Sequence, residues 1–197
     1  ALKDNDFGHT LSLQDDGKII VGGVTYGAKP EMALLRYLSN GTLDTTFDAD
    51  GKQMVSFSPG YGTVYAIAVQ PDGKILLGGY IWTGSESDFG LARLNADGSL
   101  DVSFGTAGKV ITNFATGGNE YLQGLAIQPD GKIIAVGYIW QSNVYDMVVA
   151  RYLPSGILDT SFDGDGQLRL DLGNSLDQAL DVVVQADGKL VLFGRSG

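Results

Sequence analysis

A short motif, Asp-Gly-Lys followed by Ile or Leu, recurs along this chain at intervals of 56 to 58 residues. A fixed period of this length is typical of one supersecondary unit copied in tandem. The motif therefore constrains the architecture more than any local pattern does. Its four copies begin at Asp16, Asp72, Asp130 and Asp187.

A second motif confirms the period. Arg36 opens a stretch that ends at Phe47 and contains Gly-Thr-Leu-Asp, and related stretches run from Arg93 to Phe104 and from Arg151 to Phe162. The two motifs together predict a single repeat domain over residues 1–197. Its units are predicted at about 1–57, 58–115 and 116–173, with a partial fourth unit over 174–197.

The sequence pattern of each unit predicts four short strands. A near-continuous apolar segment such as Val64–Val69 is typical of a buried strand, and the Asp-Gly pair that follows favours a tight hairpin because glycine accepts a positive φ. The acidic residues support this reading, since only three of the 23 are glutamate and aspartate favours turns over helices. The predicted fold is an all-β propeller of four-stranded antiparallel blades, about three and a half of them. A β-trefoil is the alternative, although it closes after three units.

The repeat resembles a known family. The pattern Gln-Pro-Asp-Gly-Lys-Ile, then Gly-Gly, then Ala-Arg-Leu-Asn-Ala-Asp-Gly-Ser-Leu-Asp-x-Ser-Phe-Gly is similar to the delta-60 repeat of large bacterial secreted and surface proteins. The first unit departs from it at Gln14-Asp15-Asp16. The resemblance implies a propeller-like domain in an extracellular or cell-surface setting, and it implies no catalytic residues.

Composition excludes several classes of function. The formal net charge of −10 argues against nucleic-acid partners, and no apolar run reaches the length of about 18 residues that membrane insertion needs. The chain has no cysteine, hence no disulfide and no thiolate metal site. No cofactor is predicted, apart from calcium as a possibility.

The loops at one end of the predicted blades differ between units and carry aromatic, acidic and amide side chains. Rings beside such groups suit a glycan or a protein ligand. The predicted ligand-binding residues are Tyr26, Tyr61, Trp82, Glu86, Asn119, Glu120, Tyr121, Trp140, Asn143 and Tyr145. Packing of Trp82 and Trp140 between blades is the structural alternative for those two residues.

Two turns place aspartates one residue apart before a glycine. Calcium loops use this alternation, because Ca²⁺ takes six to eight oxygen ligands around a sharp turn. The calcium candidates are Asp48, Asp50, Asp163 and Asp165, with ordinary Asp-Gly turns as the alternative.

Three functions follow from these patterns. The leading prediction is a non-catalytic binding or adhesion module, and the chain is predicted not to be an enzyme. The alternatives are a polysaccharide-acting enzyme that uses Glu86 and Glu120, and a structural spacer that assembles through its blade edges. A partial ring leaves strand edges unpaired. Further blades from a longer chain, or a second copy, are therefore predicted as partners.

Overall fold

The structure, a computed structural model, describes residues 6–173 and 175–197. This part of the chain contains strands and turns and no helix, and so no helix that could cross a membrane. Residues 1–5 and 174, where the first and fourth units are predicted to begin, lie outside the described residues.

The strands form three four-stranded antiparallel sheets and one two-stranded sheet, in chain order. We call these sheets blades 1 to 4. Blade 1 contains β1 (Phe7–Leu13), β2 (Ile19–Tyr26), β3 (Pro30–Tyr37) and β4 (Lys52–Val55). Blade 2 contains β5 (Tyr61–Val69), β6 (Ile75–Trp82), β7 (Ser87–Leu94) and β8 (Lys109–Thr112). Blade 3 contains β9 (Asn119–Ile127), β10 (Ile133–Gln141), β11 (Val144–Tyr152) and β12 (Gln167–Leu170), and blade 4 contains β13 (Asp177–Val184) and β14 (Leu190–Ser196).

The first strand of each blade is here called the inner strand, and the inner strands of blades 2, 3 and 4 pack against the preceding blade. β5 contacts β1, β2 and β3, β9 contacts β5, β6 and β7, and β13 contacts β9, β10 and β11. The predicted all-β class with four-stranded antiparallel blades is confirmed. The division into units at the predicted residue numbers, and their union in one domain, stay predictions.

The core lies between the blades. Between blades 1 and 2 it contains Met32, Leu34 and Ile81, and between blades 2 and 3 it contains Phe89, Leu122 and Ile139, all fully buried. Burial of such side chains contributes roughly 1.5–3 kcal/mol each. Each unit can bury its apolar faces only against its neighbours, which is why the copies stack.

The repeated arginine is part of this scaffold. Arg36 Nε donates to Asp44 Oδ2 at 2.8 Å, and the same pair recurs as Arg93 with Asp101 and Arg151 with Asp159. A hydrogen bond from the Thr46 hydroxyl is the main cause that lowers the pKa of Asp44, against the opposing effect of burial. The repeated aspartate therefore stays ionised and holds the third strand to the turn that follows it.

Candidate functional site

Every inner strand carries a β-bulge at the same repeat position. In each case one residue falls out of the pairing register with the second strand of its blade. A bulge redirects the unpaired side chain and is common beside functional sites. The four bulge residues differ in chemistry, although the backbone around them repeats: His9, Tyr65, Gln123 and Leu180.

A repeated glycine makes each bulge sterically possible. A Cβ atom added to Gly79 would lie 1.7 Å from the carbonyl oxygen of Thr63, and one added to Gly137 would lie 2.0 Å from that of Tyr121. Both contacts are with backbone, which cannot move aside as a side chain can. A glycine is therefore required at this repeat position by the bulge opposite it, and the four copies are Gly23, Gly79, Gly137 and Gly194.

The bulge residues of blades 2, 3 and 4 line one central cavity of about 310 Å³. Residues from all four inner strands form its wall. They are Thr10, Tyr65, Ala66, Ile67, Gln123, Gly124, Leu125, Leu180 and Asp181. The side chains that line this cavity therefore differ from blade to blade.

A series of tyrosines extends from the cavity across blades 2 and 3. Tyr65 stacks on Tyr80 at 6.0 Å between ring centroids, and Tyr80 meets the edge of Tyr121 at 5.3 Å. Tyr121 lies 5.2 Å from Tyr138, which in turn meets Tyr145 at 5.7 Å. All five rings are half-buried, so each keeps part of its surface open to solvent. We call Tyr65, Tyr80, Tyr121, Tyr138 and Tyr145 the tyrosine row.

Polar groups stand at both ends of the tyrosine row. His9 is exposed and lies 4.9 Å from Tyr65, ring to ring. At the other end Arg195 Nε donates to Gln178 Oε1 at 2.8 Å, and these two residues occupy the repeat positions of Tyr138 and Tyr121. Burial, reinforced by the neighbouring tyrosines, raises the pKa of Tyr138 to about 12. Its hydroxyl therefore stays neutral and can both donate and accept hydrogen bonds.

Beside Tyr121 lies a group of three acidic residues, Glu86, Asp88 and Glu120, which we call the carboxyl cluster. Glu120 is fully buried near Asp88, and neither of its carboxyl oxygens has a hydrogen-bond partner among the described residues. Burial, followed by the negative charge of Asp88, raises the pKa of Glu120 to about 8. Burial also raises the pKa of Asp88. At neutral pH Glu120 therefore carries a proton, and the pair holds one negative charge or less.

Amide groups hold the cluster in place. Asn113 Nδ2 donates to Asp88 Oδ1 at 2.8 Å and to Glu86 Oε1 at 3.0 Å, and the Gly117 N–H donates to Glu86 Oε2 at 2.7 Å. Asn119 Oδ1 accepts a hydrogen bond from the Ser87 N–H at 3.0 Å. Glu86 is half-buried and is the member of the cluster that reaches solvent.

The next blade junction repeats this arrangement with a different charge balance. Asp146 occupies the repeat position of Asp88, and Asp177 that of Glu120. Asp146, Asp171 and Asp177 offer carboxylate oxygens within 4.8 Å of one another, which is close enough for a metal ion. However, Arg169 places its guanidinium 2.6 Å from Asp146 Oδ2. A fixed positive charge is thus already present at this junction.

Two of the four calcium candidates, Asp50 and Asp165, accept hydrogen bonds within their own turns. Asp50 Oδ1 accepts from the Lys52 N–H at 2.9 Å, and Asp165 Oδ1 accepts from the Gln167 N–H at 2.8 Å. Asp48 and Asp163 have a positive φ, as turn residues do. A calcium site at these residues stays a prediction.

The structure divides the predicted ligand-binding residues among several places. Tyr121 and Tyr145 belong to the tyrosine row, while Glu86, Glu120 and Asn119 belong to the carboxyl cluster or its support. Glu120 is not the exposed loop residue that the sequence predicted, because β9 begins at Asn119 and carries the carboxyl group into the blade interface.

The other predicted residues lie apart from this group. Tyr61 and Trp82 stack on each other at 6.2 Å, and Tyr26 meets the edge of Phe7. Trp140 is exposed at the end of β10, and Asn143 follows it in an exposed turn with a positive φ. Among the described residues, no ring contact connects these side chains to the tyrosine row. Their role in ligand binding stays a prediction.

Sequence reasoning missed Tyr65, Tyr80 and Tyr138. The repeated tripeptide Tyr-Ile-Trp at residues 80–82 and 138–140 was the available signal, since it places a tyrosine two residues before each predicted tryptophan. Tyr65 had no such signal, because its direction depends on the bulge.

A larger cavity of about 880 Å³ lies elsewhere, beside Phe57, Lys109 and Ile157. Lys109 is the charged side chain in its lining, and its ammonium group donates to Ser56 O. Size alone therefore does not identify a site here. The tyrosine row combines aromatic surface, neutral hydroxyl groups and adjoining carboxyl groups, and we take it as the candidate functional site.

Comparison with solved structures finds the same fold in an endo-arabinase from Bacteroides thetaiotaomicron VPI-5482. The TM-score is 0.55 at 12% sequence identity, and the match covers 96% of this chain and 72% of that chain. No curated protein matches the sequence.

The prediction that this chain is not an enzyme is contradicted by that comparison. The prediction rested on the repeat, which was taken as a scaffold without an active site. The endo-arabinase has the same fold, so a repeat scaffold of this kind does not exclude catalysis.

The family model described as "Domain of unknown function (DUF5122) beta-propeller" matches residues 14–47, 70–104 and 128–162. These three segments contain the two repeated motifs of blades 1, 2 and 3, and together they make up just over half of the chain. The resemblance to a repeated propeller unit is confirmed at this level, while the narrower name, delta-60, stays a prediction. The chain belongs to the DUF5122 beta-propeller family.

Proposed function

We propose that this protein recognises a carbohydrate chain, and that the tyrosine row with the adjoining central cavity is the binding surface. The observation that carries the proposal is the row itself: five half-buried rings in unbroken contact, at centroid distances of 5.2–6.0 Å. Partly exposed aromatic rings offer apolar faces to the C–H faces of sugars. Their hydroxyl groups offer hydrogen bonds to sugar hydroxyls.

Charge favours a neutral glycan over an acidic one. The protein has a formal net charge of −10, and the carboxyl cluster lies directly beside Tyr121. A polyanionic polysaccharide would be repelled by both. We propose an extracellular or cell-surface location as well, because the resemblance to secreted repeat proteins and a glycan ligand both suit it.

The test is binding to a panel of soluble neutral polysaccharides, including arabinan, galactan, xylan and mixed-linkage glucan, by affinity electrophoresis and calorimetry. Removal of two rings in Tyr121→Ala/Tyr138→Ala should weaken binding about tenfold or more, since each aromatic contact contributes roughly 0.5–1.5 kcal/mol. The matched control is Tyr61→Ala/Trp82→Ala, which removes the separate stacked pair.

Three results are informative. Loss of binding in the Tyr121/Tyr138 variant alone supports the proposal. Loss in the Tyr61/Trp82 variant alone moves the site to the residues predicted from sequence. Absence of binding to every polysaccharide in the panel contradicts the proposal. Thermal unfolding of each variant shows whether the fold is retained.

Cleavage of the glycan is the second candidate function, and the carboxyl cluster favours it. Glycosidases commonly use a protonated carboxyl group as acid and an ionised one as base or nucleophile. The raised pKa of Glu120 keeps it protonated at neutral pH, and Glu86 is the solvent-reaching carboxyl group of the same cluster. Glu120 is fully buried, so cleavage would require movement at the junction of blades 2 and 3.

Release of reducing sugar from a bound polysaccharide tests this second function. Loss of release in Glu120→Gln and Glu86→Gln with unchanged binding would support cleavage by the cluster. Equal release by wild type and both variants, or no release by wild type, would contradict it. Neither result bears on whether the tyrosine row binds the glycan.

A further inference from the structure

An amide group replaced by a carboxyl group distinguishes the junction of blades 3 and 4 from the junction of blades 2 and 3. Asn113 directly follows β8 and Asp171 directly follows β12, so the two residues occupy the same repeat position. An amide nitrogen donates hydrogen bonds to a carboxylate, whereas an ionised carboxyl group can only accept them. The junction of blades 3 and 4 therefore has one donor fewer and one carboxyl group more.

The loss of this donor leaves a buried oxygen atom without a partner. At the junction of blades 2 and 3, Asn113 Nδ2 donates to Asp88 Oδ1 at 2.8 Å. Asp146, at the repeat position of Asp88, is 4% exposed, and its Oδ1 atom is buried with no hydrogen-bond partner among the described residues. A buried carboxylate oxygen is destabilising unless another group binds it.

Arg169 binds the other oxygen of the same carboxyl group. Its Nε and Nη2 atoms each lie 2.6 Å from Asp146 Oδ2, and its Nη1 atom donates to Gln141 Oε1 at 2.9 Å. Asp146 Oδ1 is thus left over. With Asp146, Asp171 and Asp177 ionised, the guanidinium group offsets one of their three negative charges, and the remaining two equal the charge of a divalent cation.

The three carboxyl groups are close together and are held in position. Asp146, Asp171 and Asp177 each offer an oxygen within 4.8 Å of the others. The Gly173 N–H donates to Asp171 Oδ1 at 2.7 Å, and the Leu172 N–H donates to Asp177 Oδ2 at 2.9 Å. Calcium binds oxygen at about 2.3–2.6 Å, so one ion bridges oxygens up to about 5 Å apart. Asp171 is exposed, so water can reach the site and supply further ligands.

Both junctions build this arrangement from the same strands. In each case the groups come from the third strand of a blade, the residue after its fourth strand, and the inner strand of the next blade. The corresponding residues are Asp88, Asn113 and Glu120 at the first junction, and Asp146, Asp171 and Asp177 at the second. The unpartnered oxygen of Asp146 therefore results from the change of Asn113 to Asp171 in the repeat.

We propose that Asp146, Asp171 and Asp177 bind one calcium ion, which takes the place of the Asn113 amide group of the preceding junction. Asp146 lies in β11, Asp171 follows β12 and Asp177 opens β13, so the ion links blade 3 to the inner strand of blade 4. Calcium suits the site better than magnesium. Backbone and Arg169 contacts fix the carboxyl groups, and Ca²⁺ accepts an irregular set of oxygens, whereas Mg²⁺ needs a near-ideal octahedron.

The experiment uses the whole 197-residue chain, freed of metal with a chelator. Terbium replaces calcium and is excited through Tyr145, the chain neighbour of Asp146. Its luminescence should saturate, and Ca²⁺ should displace it at concentrations at which Mg²⁺ does not. Asp171→Asn should weaken calcium binding about tenfold or more, because one charged ligand is lost. Calcium should raise the midpoint of thermal unfolding of wild type and leave that of Asp171→Asn nearly unchanged.

The matched control is Asp165→Asn, which removes an exposed carboxyl group from a turn of the same blade. It should leave calcium binding unchanged. Asp171→Asn should remain folded without calcium, because the repeat already has an asparagine at this position in Asn113. Absence of calcium binding by wild type, or equal binding by wild type and Asp171→Asn, would overturn the proposal, as would loss of binding in Asp165→Asn alone. The measurements contain no glycan, so their outcome does not depend on the tyrosine row.

Discussion

The buried carboxyl pair predicts an unusual dependence of stability on pH. An ordinary glutamate carboxyl group has a pKa of 4.5, whereas that of Glu120 is about 8 in the folded protein. Between these two pH values the folded state binds a proton that the unfolded state has lost, so the free energy of unfolding falls as pH rises. The stabilisation is complete below pH 4.5 and is lost as pH rises through about 8.

The size of the effect follows from the same two values. Each pKa unit corresponds to about 1.4 kcal/mol, so ionisation of Glu120 reduces the free energy of unfolding by up to about 5 kcal/mol at pH 9. A typical domain has only about 5–15 kcal/mol in total. Because the negative charge of Asp88 is one of the causes that raise the pKa of Glu120, the slope belongs to the pair rather than to one residue.

The perturbation is Glu120→Gln, whose side chain has nearly the same size and shape and cannot ionise. Urea unfolding followed by tryptophan fluorescence at pH 5, 7 and 9 gives the free energies. The variant should match wild type at pH 5 and exceed it by several kcal/mol at pH 9. Glu31→Gln is the matched control, because Glu31 occupies the repeat position of Asp88, while Gly62 occupies the repeat position of Glu120 and carries no carboxyl group. A difference between wild type and Glu120→Gln that does not grow with pH would refute the reasoning.

Two further predictions concern the scaffold. Gly137→Ala should destabilise the protein by about 3 kcal/mol or more, because its Cβ atom would lie 2.0 Å from the Tyr121 carbonyl oxygen. The control is Gly27→Ala, which should change stability by less than about 1 kcal/mol, because no atom lies within 4 Å of the added Cβ atom. Equal urea midpoints for the two variants would contradict this prediction. Arg93→Gln should cost roughly 1.5–3 kcal/mol, because Asp101 keeps Lys74 as its positively charged partner but loses its arginine, and the Pro154 carbonyl loses its charged donor. Arg151→Gln should cost measurably less, because Arg151 is more exposed; the same unfolding assay compares the two variants, and the reverse order would contradict this expectation.

The blade architecture was accessible from sequence because its cause is repeated in every unit. Asp-Gly pairs such as Asp72-Gly73 occupy tight turns in which the glycine has a positive φ, and the apolar run around Val64 is buried between blades. Each unit needs its neighbours to bury such segments. A periodic sequence therefore predicts a periodic structure, and the propeller architecture could be predicted from the repeat.

The site was less accessible because it depends on departures from the repeat. Bulges arise from the pairing of two strands, and nothing within β5 alone indicates that Tyr65 leaves the register. The burial of Glu120 depends on where β9 begins, whereas the sequence placed Glu120 on a variable loop. Tyr80 and Tyr138 lie in strands whose exposed side is decided by packing of the neighbouring blade.

The bulges on the inner strands also separate two roles that usually compete within one strand, namely pairing with the neighbouring strand and presenting a side chain to a ligand. The residues around each bulge maintain the hydrogen-bonded ladder, while the bulge residue itself takes no part in it. His9, Tyr65, Gln123 and Leu180 can therefore be exchanged in combination at little cost to the fold. The inner strands thus offer four positions for combined laboratory diversification, from which new ligand specificities could be selected on an unchanged framework.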